Sequence, residues 1–251
     1  MTKEKFSCTR DGMTIRGLCF RPEGENLPIA IISHGFMANY NTTKGYAEWF
    51  ASCGYCSFCF DFNGGCAMGH SDKDRTKMTL YTEAEDLRAV LAYARSLEET
   101  NSEDVTLMGC SQGGFVSAML AAELKDEIRQ LILFYPALCI PDDARAGKMM
   151  IMKFDPSNIP DELRFGPLKL GGCYPRAVID KRFEDMISPY EGPVLICWGT
   201  EDGIVAEKYM DAAKDVYKNA VLYKIPGAHH GFSKKADKAA LGYLKDFIQR
   251  A

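Results

Sequence analysis

The chain has 251 residues, 47% of them hydrophobic and 25% charged, the balance of an ordinary globular protein rather than a disordered or fibrous one. A net charge of -4 leaves no basic footprint for nucleic acid, which is held by clustered Lys and Arg, so nucleic acid is not expected as a partner. No run of about eighteen apolar residues offers a membrane span, and the opening MTKEKFSCTRDG lacks the apolar core of an export signal, so a cytoplasmic, membrane-free location is expected.

From Lys3 to Arg21 the stretches KFSC and MTIRGLCF flank Asp11-Gly12, a strong hairpin signal, so antiparallel strands open the chain. LPIAIISHG follows, a nearly continuous apolar run of the kind that is buried on both faces of a parallel sheet. The pattern then alternates: a helix over Lys44–Ser52, a strand over Tyr55–Phe62, a helix from Thr82 to Leu97, a strand over Val105–Met108, a helix after Ser111 and a strand over Gln130–Tyr135. Such alternation predicts a doubly wound α/β sheet.

Between Pro136 and Pro189 the rhythm stops, and seven of the eleven prolines fall there, which makes this segment an insertion rather than another βα unit. Alternation resumes with the strand PVLICW, a helix near Ala206–Tyr217, the strand VLYKI and an amphipathic helix from Lys234 to Arg250. The expected division is a core of residues 1–136 and 190–251 with an inserted lid subdomain over 137–189. An insertion at the carboxyl end of a central strand lies where open α/β sheets bind ligands.

Ten cysteines in a large chain with no export signal read as reduced and mostly buried rather than as a disulfide framework. Cys53, Cys56 and Cys59 have a metal-like spacing, but the last two fall three apart in an alternating strand and point to opposite faces, so core packing is the better reading and no metal is expected.

The chemistry is concentrated at Gly109-Cys110-Ser111-Gln112-Gly113, a G-x-S-x-G pattern with an apolar strand before it and a helix after it. A sharp strand-to-helix turn lifts the serine Oγ clear of the sheet, and the glycines let strand and helix approach closely. The free N–H groups at the helix start favour developing negative charge. Gly69-His70-Ser71 resembles the same turn superficially, but Asp72 and Lys73 follow and no helix starts there. Cys110, beside the serine, is expected to point inward.

Serine needs a base, and there are four histidines. His34 lies in an HGF turn of the type that supplies an oxyanion donor, and His70 sits in the loop just set aside. That leaves His229 and His230, after the last strand; His230, directly before Gly231-Phe232, is preferred. GTEDGIV supplies Asp202 as the acid that orients it, whereas Glu201 reads as a solvated charge. The order nucleophile, acid, histidine is that of the α/β-hydrolase fold. The backbone N–H groups of Phe36 and Gln112 are the expected oxyanion donors, with the Gln112 side chain incidental to that role.

HGFMANYNT, FDFNGG, GCSQGG, GTEDGIV and GAHHGF, in this order, resemble the bacterial cinnamoyl and feruloyl esterases of the α/β-hydrolase superfamily. The resemblance covers most of the chain. It implies an α/β-hydrolase fold with a mostly parallel central sheet, antiparallel N-terminal strands and a lid inserted after the sixth strand, to which NIPDELRFGPLKLGGCYPR would belong. It further implies that Asp143 and Tyr174 touch the phenolic end of a hydroxycinnamoyl group. One departure stands out: after Asn63-Gly64 the family continues His-Gly-x-Ser, whereas this chain has the longer Gly65-Cys66-Ala67-Met68-Gly69-His70-Ser71. Met149, Met150, Met152 and Phe154 suit either an adaptable apolar pocket or ordinary packing.

The function expected is therefore a serine carboxylesterase acting on small aromatic esters of the ferulate type through an acyl-enzyme, without cofactor. The alternatives are a broad short-chain acyl esterase or monoacylglycerol lipase and, from a different class, a non-catalytic binding protein. The oligomeric state is left open, a homodimer included.

Overall fold

In the computed structural model, which describes residues 1–249 except 67, 73 and 167, the chain opens with β1 (Thr2–Arg10) and β2 (Met13–Arg21), paired antiparallel. Asp11 and Gly12 join them with φ of 49° and 78°, the left-handed pair that lets a two-residue turn match the twist of the strands.

There follow β3 (Leu27–Ser33), α1 (Lys44–Ser52), β4 (Cys56–Asp61), α2 (Leu80–Arg95), β5 (Thr100–Cys110), α3 (Gln112–Leu124) and β6 (Gln130–Phe134). Helix α2 starts two residues before the apolar pattern suggested, because Thr79 and Thr82 cap it reciprocally: Thr79 Oγ1 accepts the Thr82 N–H at 3.1 Å and Thr82 Oγ1 the Thr79 N–H at 2.8 Å. Strand β5 begins at Thr100 rather than Val105. Its polar start pairs with Leu27 and Pro28 across a register shift, an extension that apolar patterning cannot reveal.

Between β6 and the next sheet strand lie α4 (Ile140–Arg145), β7 (Lys148–Met149), β8 (Met152–Lys153), β9 (Glu162–Phe165), β10 (Leu168–Gly171), α5 (Cys173–Arg176) and α6 (Phe183–Ile187). Here β7 pairs with β8 and β9 with β10, as two ribbons separate from the main sheet. The chain ends with β11 (Val194–Gly199), α7 (Glu207–Val216), β12 (Ala220–Ile225) and α8 (Lys234–Ile248). Arg250, the expected end of α8, lies outside the described residues.

The chain has the α/β-hydrolase architecture: an eight-stranded sheet in the order β1-β2-β4-β3-β5-β6-β11-β12. From β4 to β12 all neighbours are parallel, while β1 and β2 add antiparallel at one edge. Helices α1 and α8 meet across one face, where the Tyr46 hydroxyl donates to Asp237; α2 and α3 pack together on the other. Strands β4, β6 and β11 are buried at every residue, which is why apolar side chains predominate on both of their faces. Phe50, Phe58, Phe60 and Phe134 are fully buried in this core; each such side chain contributes roughly 1.5–3 kcal/mol and fixes the strands whose carboxyl ends carry the polar groups described next. Among the described residues no helix is long and apolar enough to cross a membrane.

Candidate active site

Ser111 is the single residue between β5 and α3, with φ 54° and ψ -123°, a backbone conformation that costs a non-glycine residue about 1–3 kcal/mol. The surroundings hold it there. Its N–H donates to Phe134 O at 3.0 Å, and its carbonyl accepts the N–H groups of Gly114 at 3.0 Å and Ala137 at 2.9 Å. A Cβ on Gly109 would collide with the Gly113 backbone, and one on Gly113 with the carbonyls of Ser33 and His34, so both glycines are required by the close crossing of strand and helix.

Strand order brings the ends of β5, β11 and β12 to one edge. The Ser111 hydroxyl lies 2.8 Å from His230 Nε2, and His230 Nδ1 lies 2.8 Å from Asp202 Oδ2. Asp202 Oδ1 accepts the backbone N–H of Ile204 at 2.8 Å and of Val205 at 2.9 Å, so the carboxylate cannot swing away. Burial alone would raise the Asp202 carboxyl, but the hydrogen bonds from His230 and the two backbone donors outweigh it and hold the group below the ordinary carboxylate range. A carboxylate there accepts from Nδ1–H, which leaves Nε2 unprotonated and able to take the serine proton. Tyr135 packs edge-on against the His230 ring, centroids 4.9 Å apart, and Phe232 against Tyr135 at 4.6 Å.

The neighbours set aside from sequence have other work. His229 is exposed; its Nδ1 donates to the Glu201 carbonyl at 2.9 Å and its Nε2 lies 3.4 Å from the Glu201 carboxylate, which is itself exposed. Ser71 is buried, accepts the Arg16 N–H at 2.8 Å and donates to Asp61 O at 2.6 Å. Cys110 points inward, and burial pushes its thiol up to about 12. The ten cysteines form no disulfide; Cys53 lies exposed at the end of α1, and Cys56 Sγ contacts Cys19 Sγ at 3.7 Å.

Among the described residues one group has donor atoms spaced for a metal: His34, Asp61 and Cys66, mutually within 4.8 Å. Those atoms already fasten the loops. His34 Nε2 accepts the Phe62 N–H at 3.2 Å and faces Cys66 Sγ at 3.1 Å, while Asp61 accepts the N–H groups of Tyr40 at 2.7 Å and His70 at 2.6 Å.

An apolar pocket opens over Ser111, its wall formed by Phe36, Gln112, Ile140, Met149 and Tyr174. Phe36 and Gln112, whose N–H groups are the expected oxyanion donors, thus flank Ser111; the Gln112 N–H opens α3, ahead of any intrahelical acceptor. Asp143 and Tyr174 both line the pocket. Asp143 pairs with Lys148 at 3.1 Å, and the buried Tyr174 donates its hydroxyl proton to Gln112 Oε1. The exposed Met150 and Ile204 border the same pocket. A wider groove lies between α2, α3 and α6, but among the described residues that line it there is no histidine to act as a base.

Two contributors escape sequence reasoning. Tyr135 reads as the last residue of a strand, and Glu83 as a first-turn charge on α2. Glu83 is instead fully buried and accepts the Gln112 Nε2–H at 2.6 Å, so the Gln112 side chain ties α2 to α5 across the pocket. No apolar pattern signals either role.

Over residues 24–167 the chain matches the family described as serine aminopeptidase, S33, a span that includes Ser111 and stops short of Asp202 and His230. The structure of Est1E from Butyrivibrio proteoclasticus with ferulic acid bound superposes with a TM-score of 0.88, at 31% identity, covering 97% of this chain and 99% of that one. The quorum-quenching protein AidA of Acinetobacter baumannii (strain MDR-ZJ06) is 31% identical and covers 75% of each chain. DcsB, solved in complex with a substrate analogue, shares the fold with a TM-score of 0.79 at 22% identity over 99% of both chains.

Proposed function

Since the chain belongs to the serine aminopeptidase, S33 family of α/β hydrolases, we propose that it is a serine carboxylesterase that cleaves hydroxycinnamate esters of the ferulate type through an acyl-enzyme. One observation carries the reading. The hydrogen-bonded series Ser111–His230–Asp202 opens into an apolar pocket whose wall holds two polar side chains, Asp143 and Tyr174. That is the arrangement an aromatic acyl group with a ring hydroxyl requires: apolar contact along its length and hydrogen bonding at its end. The ferulic acid bound by Est1E, a relative 31% identical, supports the same substrate class.

In this mechanism His230 Nε2 takes the Ser111 proton as Oγ adds to the ester carbonyl carbon. The carbonyl oxygen gains the charge and is met by the N–H groups of Phe36 and Gln112, and one such donor is worth about two to three orders of magnitude in rate. The C–O bond to the alcohol breaks as His230 returns the proton to the leaving oxygen. Water, deprotonated by the same imidazole, then releases the carboxylic acid and restores Ser111. Asp202 keeps its negative charge throughout and stabilises the transient imidazolium.

A second reading, a short-chain acyl esterase or monoacylglycerol lipase, is favoured by the Ile and Met lining of the pocket and by Lys148, which already satisfies part of the Asp143 charge. Turnover of ethyl ferulate compared with p-nitrophenyl butyrate separates the readings. A kcat/KM on ethyl ferulate at or above that on the butyrate supports the first; butyrate hydrolysis with no ferulate released supports the second; no turnover of either returns the chain to a binding role.

A further inference from the structure

An unbroken series of hydrogen bonds runs from the core to the pocket wall. Glu83 Oε2, buried in the first turn of α2, accepts from Gln112 Nε2 at 2.6 Å, and Gln112 Oε1 accepts the Tyr174 hydroxyl proton. All three side chains are buried, at 1%, 2% and 2% exposure, so water does not compete for these bonds.

The amide in the middle is directional, since one end only donates and the other only accepts. With Glu83 ionised, Nε2 must face the carboxylate and Oε1 must face Tyr174. The tyrosine proton is then committed to Gln112, and the tyrosine oxygen presents lone pairs to the pocket. With Glu83 protonated and donating its O–H, the amide turns over: Oε1 faces Glu83, Nε2–H donates to the Tyr174 oxygen, and the tyrosine proton is free to point at whatever occupies the pocket. Amide oxygen and nitrogen are nearly equal in size, so the exchange needs no repacking.

We propose that Glu83 is a specificity-determining positioning residue of this pocket, setting through Gln112 whether Tyr174 meets the bound acyl group as hydrogen-bond acceptor or as donor. Both states lie within reach near neutral pH. Among the described residues Glu83 Oε1 has no hydrogen-bond partner, and an ionised carboxylate with a bare buried oxygen is costly. Burial pushes the Glu83 carboxyl up to about 8, the bond from Gln112 opposes the rise, and the nearby Asp86 adds to it.

Among the described residues the surrounding charges leave Glu83 without a cation of its own. Asp86, on the same helix, is taken by Arg10 from β1 at 2.5 Å and by Asn63. Across the site Tyr174 faces Glu83 from α5, and Cys139 lies against Tyr174. On the remaining side the loop after β4 approaches with backbone only, because a Cβ on Gly65 would collide with Glu83 Oε1.

The inference rests on the reading that Tyr174 meets the acyl ring, and the test separates the two. Ethyl 4-methoxycinnamate carries an oxygen that only accepts, ethyl cinnamate carries none, and neither titrates. The ratio of their kcat/KM values therefore cancels the titration of His230. Measured from about pH 6 to about pH 9.5, the wild-type ratio should fall by roughly threefold to tenfold as Glu83 ionises, the worth of one ordinary hydrogen bond. In Glu83→Gln, neutral at every pH, the ratio should not change with pH; in Tyr174→Phe it should stay near unity throughout. A pH-independent wild-type ratio, or a pH dependence that survives Glu83→Gln, overturns the proposal. Should Glu83→Gln fail to fold, a pH dependence present in wild type and absent in Tyr174→Phe still decides in favour, and one present in both decides against. If p-nitrophenyl butyrate is hydrolysed and neither cinnamate ester is, the substrate reading fails and takes this inference with it.

Discussion

Replacing Asp202 by Asn tests how the base is held in its working form. Asp202 is fully buried and accepts three hydrogen bonds, from the Ile204 and Val205 backbone and from His230 Nδ1. In Asp202→Asn the amide oxygen can keep both backbone donors, so its NH₂ is turned toward His230. Nδ1 must then accept rather than donate, which moves the ring proton to Nε2, opposite Ser111 Oγ. A protonated Nε2 cannot take the serine proton. The loss expected for a wrong tautomer in an intact site is about 10⁴ in kcat, equivalent to about 5.5 kcal/mol of barrier. Stability should suffer far less: three bonds to a carboxylate become bonds to a neutral amide while a buried charge is removed, a net change of about 1–2 kcal/mol, and each kcal/mol moves Tm by only about 2–4 °C in a chain of this size. The assay is kcat on ethyl ferulate and on p-nitrophenyl butyrate with Ser111→Ala as background, alongside a thermal melt. A variant with an unchanged melt and more than about a tenth of wild-type kcat would refute the argument, since so small a loss leaves no room for a tautomer effect of that size.

Ser111→Ala and Ser111→Gly should both abolish hydrolysis, but the glycine variant should be the more stable of the two by about 1 kcal/mol, because it relieves the positive φ at that turn; equal melting temperatures would mean that the turn stores no strain. His230→Ala should lose several orders of magnitude in kcat, as removal of a triad member does, whereas His229→Ala, exposed and bonded only to Glu201, should lose far less; the reverse ranking in a steady-state assay would move the base by one residue. Wild type should prefer ethyl ferulate over ethyl cinnamate, and the double change Asp143→Ala with Tyr174→Phe should erase that preference, a loss of about 1–3 kcal/mol in discrimination. Equal kcat/KM for the two esters in wild type would defeat the assignment of those residues.

Much of the fold is legible in the sequence because the central strands are buried on both faces: CSFCFD, QLILF and VLICWG could hardly lie anywhere else. Ser111, Asp202 and His230 are readable for a related reason. Ser111 follows β5, Asp202 lies in the loop after β11 and His230 in the loop after β12, and parallel pairing delivers those ends to one edge. What could not be read depends on tertiary burial or on very short pairings. The two-residue strands β7 and β8 have no periodicity to detect. Glu83 looks like a favourable first-turn charge on a helix, and only the crossing of α2 and α3 shows that it is enclosed and bonded to Gln112. Thr79 precedes the pattern that marks α2 and Thr82 opens it, and their reciprocal cap is visible only in their geometry.

The central claim is that Ser111 carries a hydroxycinnamoyl group during turnover, and quenched-flow mass spectrometry of the enzyme mixed with ethyl ferulate tests it most directly. The account predicts a feruloyl adduct that forms within the first turnover, maps to the peptide containing Ser111, and is absent from Ser111→Ala. Steady release of ferulate with no adduct on that peptide, or an adduct that persists in Ser111→Ala, would contradict it.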